Sequence, residues 1–378
     1  MFELREEHVM LRDMVREFAE RELMPRSEEF ERAGRLPEDV IKKMAELNLF
    51  GLAFPKEFGG ADAGLLGYVL AVEELARASV DAAFMCSVSI GATYPLLLAG
   101  SDEQKERYLK PLVRGEKLGA FALTEPNAGS DAASIETTAK KEGDEYILNG
   151  RKVFITNASI ADIYIVFAYT DKSKGTKGIS AFIVEKGTDG FSFGKIEDKL
   201  GMRASVVGEL VFNECRVPAE NLLGNEGEGF RIAMATLDRD RVGLAAVGVG
   251  LSQACLDAAK KYARERKQFG QPLANFQHIQ FTIADMAVET EAARLLTYKA
   301  ASLADAGKRF TKEASMAKLY ASEVAMRSAI NAVQIHGAYG CTKDYPVERY
   351  FRDAKMLSIA VGTSEMQRLV ISREELRS

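Results

Sequence analysis

The sequence predicts a mainly α-helical protein with a β domain in its middle, and three observations predict that layout. Apolar residues recur at helical spacing from the N-terminus to Leu112. Short apolar runs separated by turn signals replace this period from Lys117 to Leu223. Long helical patterns return at Gly229 and continue to the end of the chain. We therefore divide the chain into an N-terminal helical domain (1–114), a middle β domain (115–228) and a C-terminal helical bundle (229–378).

The N-terminal domain is predicted to consist of helices. Glu3–Glu31 has apolar residues at helical spacing, and Pro25 should bend or end this helix, because proline lacks an amide donor. Pro37 suits the first turn of a second helix that runs towards Leu49. Ala82–Ala99 is almost entirely small or apolar, so we expect it to be buried. Two further helices are predicted, at Gly64–Ala78 and Ser101–Leu112.

The middle segment has the pattern of a small barrel or sandwich. Its strongest local signal is Tyr146–Ile155, where Asn149-Gly150 interrupts two apolar runs. Asn-Gly favours a type I′ turn, so we predict a hairpin here. The other predicted strands are Tyr164–Tyr169, Ile179–Val184, Phe191–Gly194 and Glu209–Phe212.

The C-terminal segment is predicted to be an antiparallel helical bundle, because long helical patterns follow one another with short connections. The predicted helices are Gly229–Arg266, Gln277–Ala306, Lys312–His336, Val347–Arg352 and Ser364–Leu376.

Composition excludes several classes of protein. The net charge is −5, whereas a nucleic-acid partner needs a basic surface. No run reaches the ~18 uninterrupted apolar residues of a membrane helix, so we expect no membrane insertion. The first residues are acidic and contain no apolar leader, which favours a cytoplasmic protein. The four cysteines are far apart and form no CxxC pair, so we expect neither a metal site nor a disulfide framework.

Three segments carry polar groups with two interpretations each. Thr124–Asp131 is either an ordinary loop or a loop whose hydroxyl and amide donors hold a polar ring edge or a phosphate. Arg266 suits the end of a helix, and its guanidinium could also bind pyrophosphate. Gly337 is either a helix C-cap or a point where the backbone approaches a ligand.

Taken together, these segments resemble the acyl-CoA dehydrogenase family over essentially the full chain. The carrying segments are Ala122–Asp131 (ALTEPNAGSD), Phe154–Asn157 (FITN), Ala263–Gly270 (ARERKQFG), Gln334–Gly340 (QIHGAYG), Arg352–Lys355 (RDAK) and Gly362–Arg368 (GTSEMQR). The resemblance implies an N-terminal helical domain, a middle β barrel and a C-terminal four-helix bundle. It also implies FAD bound between barrel and bundle, a homotetramer, an acyl-CoA substrate and an electron-transferring flavoprotein as electron acceptor.

The resemblance also implies which residues meet the cofactor. Those at the flavin ring or ribityl region would be Phe121, Leu123, Thr124, Gly129, Ser130, Phe154 and Thr156. Those at the pyrophosphate and adenine, largely of a neighbouring subunit's FAD, would be Arg266, Phe269, Gln277, Gln334, Gly337 and Ala338. Thr363 and Glu365 would lie near the cofactor, and Ser130 would also lie near the CoA thioester arm.

The family removes the α-proton of an acyl-CoA with a carboxylate while the β-hydride moves to flavin N5. In most members the base is a Glu directly before the Gly-Thr of the last motif, and here Val361 stands in that place. Valine cannot accept a proton. Its backbone N–H could still bind the thioester oxygen, because that role needs no side chain.

A minority of the family, which includes isovaleryl-type enzymes, carries the base on the first bundle helix, and Asp240 falls on that position. We therefore predict Asp240 as the base, next to Arg241, which the family usually retains and which we expect near the substrate. The alternative is that Asp240 is a solvated helix charge. Asp238 is a weaker candidate, because two positions along a helix point to another face.

Small residues around the predicted acyl pocket suggest a branched or alicyclic acyl group. Ala360 replaces a Tyr found in many straight-chain enzymes, and Ser87 and Gly91 lie on the predicted pocket helix. The alternative is that neighbours such as Phe84, Met85 or Tyr94 fill this space.

Three functions follow from these observations. The first is dehydrogenation of a branched or alicyclic acyl-CoA with Asp240 as base. The second is an enoyl-CoA reductase, or the removal of a proton from a ring carbon other than the α-carbon. The third is a non-catalytic protein that binds acyl-CoA or FAD, and the loss of a carboxylate at Val361 would fit it.

Overall fold

A computed structural model describes residues 4–377. Glu3, where the first predicted helix was expected to begin, and Ser378 lie outside the described residues. The N-terminal helices are α1 (Glu6–Phe18), α2 (Ser27–Ala33), α3 (Glu38–Glu46), α4 (Gly64–Ala78), α5 (Val80–Ala99), α6 (Asp102–Gln104) and α7 (Lys110–Val113). A π turn at Ala19–Leu23 and a 3₁₀ turn at Met24–Arg26 separate α1 from α2. Pro25 lies in that second turn, so the predicted bend is confirmed.

Two helices form the centre of the core. Nearly every residue of α4 is buried, and α5 is buried along most of its length, as its composition predicted. Two helices of the described chain, Val80–Ala99 and Gly229–Glu265, are long and apolar enough by length and composition to cross a membrane. Most of the apolar stretch of each is buried inside the protein, as in the core helices of globular domains.

The β domain is an open sheet. Its strands are β1 (Gly119–Ala122), β2 (Thr138–Glu142), β3 (Glu145–Thr156), β4 (Ile163–Tyr169), β5 (Ile179–Glu185), β6 (Phe191–Ile196), β7 (Val207–Pro218) and β8 (Leu222–Leu223). They run in the order β6-β7-β3-β2-β4-β5-β8, with β1 paired in parallel to β4. Among the described residues the edge strands β6 and β8 do not pair with each other, so the sheet does not close into a barrel, while the predicted succession of helical, β and helical parts is confirmed.

Strand β4 joins the two cores of the molecule, and this explains why it is buried on both faces. Tyr164 and Val166 point into the core of the β domain. Ile165 and Phe167 point into the larger core shared with the helices. Successive side chains of a strand alternate between faces, so one strand can serve both cores.

The predicted hairpin at Asn149-Gly150 is wrong. These residues lie inside the 12-residue strand β3, at an irregularity in its pairing with β7 between Leu148 and Gly150. A Cβ on Gly150 would lie only 2.4 Å from the Thr137 hydroxyl oxygen, so close packing requires glycine. The hairpin turn is formed instead at Gly143 (φ 65°), between β2 and β3. Pairing with β7 on the far side of β3 outweighs the local turn preference.

The C-terminal part is a bundle of long helices, as predicted. Its helices are α8 (Gly229–Glu265), α9 (Gln277–Asp305), α10 (Thr311–His336), α11 (Val347–Leu357) and α12 (Ser364–Glu375). A two-stranded pair, β9 (Lys267–Gln268) and β10 (Gln271–Pro272), connects α8 to α9 and was not predicted. Helix α8 packs against α4 and α5 as well as against α9 and α10, so it joins the N-terminal helices to the bundle.

Two buried carboxyl groups meet where the three parts of the chain come together. Asp81 on α5 accepts the Ser205 amide at 2.9 Å, and Asp353 on α11 accepts the Met202 amide at 2.5 Å. Burial raises the pKa of both carboxyls, and the nearby Asp81 raises that of Asp353 further. Ionisation of either group in the folded protein therefore costs free energy.

We predict that Asp353→Asn makes stability less dependent on pH. A carboxyl whose folded pKa is raised stabilises the folded state at low pH, and this stability is lost as the pH rises from about 4 through the raised value. Asn keeps an oxygen for the Met202 amide but cannot ionise. Thermal midpoints at fixed protein concentration should fall less steeply with pH than in the wild type. The corresponding difference in the free energy of unfolding should be on the order of a few kcal/mol.

The control is Asp198→Asn, which removes a charge from an exposed pair with Arg203 (2.9 Å). Exposed pairs contribute little, so this control should keep the wild-type pH slope. If the pH dependence of stability is the same in Asp353→Asn as in the wild type, ionisation of Asp353 does not destabilise the folded protein.

Candidate active site

Asp240 is a buried carboxyl near the start of α8. The residue is only 8% exposed, so the alternative interpretation as a solvated helix charge is wrong. Its Oδ1 atom has no hydrogen-bond partner among the described residues. Burial raises the pKa of Asp240 well above its ordinary range, although Arg241 and Arg239 act in the opposite direction.

The flanking arginines are both engaged elsewhere. Arg241 donates to Oδ1 of Asp238 at 2.6 Å, and Oδ2 of Asp238 accepts the Thr311 hydroxyl at 2.6 Å. The Arg239 guanidinium lies 3.9 Å from the centre of the Tyr94 ring. Neither guanidinium forms an ion pair with Asp240 within the described chain, so the carboxyl has no counter-ion in contact. Asp238 faces away from Asp240, as the helical spacing predicted.

Gly91 on α5 lies directly against Asp240. A Cβ at this position would be 3.0 Å from Oδ2 of Asp240 and 3.4 Å from the Cβ of Phe121. The space that the missing side chain leaves is thus occupied by the carboxyl. Gly91 lets α5 and α8 approach with the acid between them, and its predicted contact with substrate stays a prediction.

Hydroxyl groups line the same region one helical turn further along α8. A Cβ on Gly243 would lie 2.8 Å from the Tyr68 hydroxyl and 2.9 Å from the Ser87 hydroxyl. Tyr68 and Ser87 are both buried. Asp240, Tyr68 and Ser87 therefore form a polar patch where α4, α5 and α8 meet, in otherwise apolar surroundings.

Val361 has a strained backbone conformation. Its φ is 56°, which is unfavourable for a β-branched residue, and Gly362 follows with φ 89°. The Gln367 side chain donates to the carbonyls of both residues, at 3.2 and 2.9 Å. The Val361 amide has no hydrogen-bond partner in the part of the chain that the structure describes. The Val361 amide is therefore available as a backbone donor in this turn.

Lys318 on α10 connects this turn to the region of Asp240. Its Nζ donates to the Gly362 carbonyl at 2.7 Å. Burial lowers the pKa of Lys318 to about 7, and the nearby Arg241 lowers it too. Lys318 and Gln367 were both missed from the sequence. Lys318 does carry a signal, because it stands on the core side of α10, in register with Ala314, Ala321 and Ala325.

The residues predicted at the flavin ring lie at the ends of β1 and β3. The Val153 amide donates to the Thr124 carbonyl at 2.9 Å, which brings the two strand ends together. Lys152, fully buried, donates to the Leu123 carbonyl at 3.1 Å and to Glu125 at 2.7 Å. Burial lowers the pKa of Lys152 to about 8, although Glu125 acts against this.

Glu125 organises the loop that follows β1. It accepts the amides of Glu136 (2.5 Å) and Thr137 (3.1 Å) on the far side of the loop. Burial by itself would raise the pKa of Glu125, but Lys152 and these hydrogen bonds hold it below its ordinary value. With this carboxylate fixed inside, Gly129 and Ser130 are left exposed on the outside of the loop.

The residues predicted at the pyrophosphate and adenine lie at the other end of α8. Arg266 ends this helix, and its guanidinium lies 5.7 Å from the centre of the Tyr339 ring. His336, stacked on Tyr262 at 4.2 Å, holds the end of α10 beside it. Phe269 is 92% exposed. The remaining members of this group are Gln277, which begins α9, and Gln334, Gly337 and Ala338 at the end of α10.

This second group is far from Asp240 in the same chain. Asp240 and Arg266 lie 26 residues apart along one continuous helix, which corresponds to about 39 Å at a rise of 1.5 Å per residue. The predicted residues therefore form two separate sites in one chain. The structure brings Phe121, Asp240, Gly91 and Ser87 together, whereas Arg266 and its neighbours lie elsewhere.

FAD fits the groups that the chain presents. Phe154 at the end of β3 is 65% exposed with φ 55°, so an apolar ring faces outward next to Thr124 and Thr156. A flat aromatic ligand would cover this ring, and the nearby hydroxyls and amides suit its polar edge. Thr363 caps α12 by accepting the Met366 amide at 3.4 Å, and Glu365 beside it is exposed.

Comparison with known proteins identifies the family of this chain. Profiles of the acyl-CoA dehydrogenase family match along the chain: the N-terminal domain at residues 5–116, the middle domain at 120–215 and the C-terminal domain at 227–376. The short-chain specific acyl-CoA dehydrogenase of Clostridium acetobutylicum is 50% identical over 377 residues and covers 100% of both chains.

A second relative and a solved structure extend the comparison. The caffeyl-CoA reductase-Etf complex subunit CarC of Acetobacterium woodii is 49% identical over 369 residues, covering 97% of each chain. The structure of butyryl-CoA dehydrogenase from Megasphaera elsdenii superposes with a TM-score of 0.98 at 47% identity, covering 100% of both chains. With all three domains matched in order and full-length identity near one half, the chain belongs to the acyl-CoA dehydrogenase family.

Proposed function

We propose that this enzyme dehydrogenates a compact acyl-CoA thioester with Asp240 as the base. The observation that carries the proposal is a buried carboxyl without a counter-ion, in a chain whose usual base position holds Val361. The cofactor is FAD, which when bound accepts the hydride from the β-carbon of the acyl chain.

Asp240 would take the α-proton on its carboxylate while the Cα–Cβ double bond forms. A base works best when its pKa lies near the operating pH, and burial raises the pKa of Asp240 in that direction. The Val361 amide would donate to the thioester oxygen, where negative charge develops as the proton leaves. A donor already fixed in place by Gln367 needs no reorganisation during the reaction.

Each FAD would be held by two groups of residues that belong to two different subunits. Thr124, Ser130 and Thr156 would bind the flavin end in one subunit. Arg266 and Gln334 would bind the pyrophosphate and adenine of a neighbouring subunit's cofactor, because about 39 Å of helix separates them from Asp240. A homotetramer, the usual state of the family, would complete both sites. An electron-transferring flavoprotein would accept the electrons, in line with the name of the Acetobacterium woodii relative.

For the acyl group, we propose a branched or alicyclic chain. The support is Ala360, whose small side chain leaves room beside Val361. Asp240 fills the space over Gly91, so the room lies on the Ala360 side only. The Clostridium acetobutylicum and Megasphaera elsdenii relatives are named for short-chain acyl-CoA and butyryl-CoA, which agrees with a compact acyl group.

Reduction of an enoyl-CoA is a second candidate, and the surroundings of Asp240 favour it. Burial without an ion pair favours the protonated form of Asp240, and that form could donate its proton to the α-carbon. The relative from Acetobacterium woodii is named as a reductase subunit. Proton loss from a ring carbon and a non-catalytic binding protein are the further alternatives, and flavin bleaching by the acyl-CoA panel below tests the second.

We predict that Asp240→Asn abolishes flavin reduction and leaves the fold intact. Asn is nearly isosteric but cannot accept a proton, so anaerobic flavin bleaching should slow by about 10²–10⁴-fold. The panel should contain butyryl-CoA, isovaleryl-CoA and cyclohexanecarbonyl-CoA. The control is Asp257→Asn on the same helix, whose carboxylate binds Arg77 at 2.9 Å. Wild-type rates in Asp240→Asn would rule out this base.

The companion variant adds Val361→Glu to Asp240→Asn, which restores a carboxylate at the family's usual position. The neighbouring Ala360 has a small side chain, so we expect the new carboxylate to be accommodated and flavin reduction to return in part. If no acyl-CoA of the panel bleaches the flavin of the wild-type protein, the result supports the non-catalytic alternative.

We predict opposite pH profiles for the two directions of the reaction. Dehydrogenation needs ionised Asp240, so its rate should rise with pH through the raised pKa. Enoyl-CoA reduction by the pre-reduced enzyme needs the protonated acid, so its rate should fall over the same interval. Stopped-flow measurements from about pH 5 to about pH 9 would record both. Rates that stay flat in both directions would contradict a titrating Asp240.

We predict that Arg266→Ala weakens FAD binding and subunit association together. Arg266 is exposed, so its loss should not affect the fold of the single chain. A charged hydrogen bond to pyrophosphate contributes enough that FAD affinity should fall by about 10–100-fold. The control is Arg264→Ala, also exposed, two residues earlier. Sedimentation and FAD titration would measure both effects, and full FAD retention in a monomer would refute the shared site.

A further inference from the structure

We propose that Lys318 is a positioning residue for the Val361 amide and, through it, for the thioester oxygen. The inference rests on the proposed role of that amide. Lys318 would fix the 361–362 turn so that the Val361 amide keeps a constant position and direction.

Lys318 is an unusual residue to find inside a protein. It is fully buried on α10, and no carboxylate forms an ion pair with it among the described residues. Burial and the neighbouring Arg241 both disfavour its ammonium form. A lone buried amine beside a second cation costs stability, so the chain keeps it at the expense of the folded state.

The Lys318 side chain donates its hydrogen bond to the 361–362 turn. Its Nζ lies 2.7 Å from the Gly362 carbonyl oxygen, which also accepts from Gln367 at 2.9 Å. Gln367 reaches the Val361 carbonyl at 3.2 Å as well. Side-chain donors from α10 and α12 therefore hold the two successive carbonyls of this turn. The Val361 amide, which precedes both carbonyls in the chain, has no hydrogen-bond partner among the described residues.

The turn needs such support because its conformation is unfavourable. Val361 is β-branched and has φ 56°, a region that suits glycine. Strained backbone of this kind persists only where the surroundings over-determine it, and it clusters at functional sites. Two side-chain donors on two adjacent carbonyls provide that over-determination.

A purely structural role predicts the opposite effect of removing the lysine. In Lys318→Met the Gly362 carbonyl keeps its Gln367 donor, so no buried acceptor is left without a partner. The variant also removes a buried amine at nearly constant volume. A positioning lysine should thus cost stability and aid the reaction, whereas a structural lysine should aid stability.

The experiment compares FAD-loaded wild type and Lys318→Met by three measurements. The first is the thermal midpoint, with and without added FAD. The second is the rate of anaerobic flavin reduction by butyryl-CoA, isovaleryl-CoA and cyclohexanecarbonyl-CoA. The third is the binding of S-butyl-CoA, a thioether that lacks the carbonyl oxygen.

We expect an unchanged or higher thermal midpoint and flavin reduction slower by about 10–100-fold, the usual effect of losing a residue that orients a catalytic group. Thioether binding should stay within about 2-fold, because no oxygen meets the amide. The control for stability is Lys152→Met. Lys152 is also fully buried, but its loss leaves the Glu125 carboxylate unpaired, so that variant should melt at a lower temperature.

Two results would overturn the inference. A fall in thermal midpoint as large as that of Lys152→Met would make Lys318 structural. An unchanged rate of flavin reduction would show that the amide is positioned without it. Failure of the base is a separate outcome: Asp240→Asn would then react normally while Lys318→Met is slow. If no acyl-CoA reduces the wild-type flavin, the proposed function fails and this inference with it.

Discussion

The 37-residue helix α8 is the constraint on which both functional regions depend. Its first turns are enclosed by α4 and α5, and this enclosure removes the Asp240 carboxyl from water. Its last residue leads to Arg266, which is exposed. Because a continuous helix has a fixed rise per residue, these two ends cannot approach each other in one chain. The rigidity of this one element is the reason for proposing that the cofactor site is divided between subunits.

Buried ionisable groups occur throughout the candidate site except at its exposed Arg266 end. Asp240, Lys318 and the Lys152–Glu125 pair are all buried, and only the pair neutralises its own charge. The pair fixes the loop that presents Gly129 and Ser130, so its role is to hold a surface in shape. Asp240 and Lys318 lack such partners in the described chain, and unpaired buried charge is more costly than paired charge. Such groups are expected where chemistry rather than stability determines the residue.

The turn that carries Val361 is held through its backbone and not through the side chain at this position. Gln367 donates to the carbonyls of Val361 and Gly362, Lys318 donates to that of Gly362, and Val361 has a positive φ that valine does not favour. The turn therefore has a role that does not depend on the side chain at position 361. A backbone donor for the thioester oxygen is the role that best fits a free amide.

The sequence by itself determined the order of helical and β parts, most helix bounds to within a few residues, the burial of α5 and the family, because these depend on residue periodicity and on motifs written in the chain. It also made Asp240 a candidate base, from its match to the family's alternative base position and the absence of a carboxylate at Val361. Only the tertiary structure decided that Asn149-Gly150 continues a strand, that the sheet stays open and that Asp240 fills the space over Gly91. Lys318 and Gln367 likewise became visible only when α10 and α12 were brought to the 361–362 turn. Each of these depends on contacts between residues far apart in the chain, and local preference does not encode such contacts.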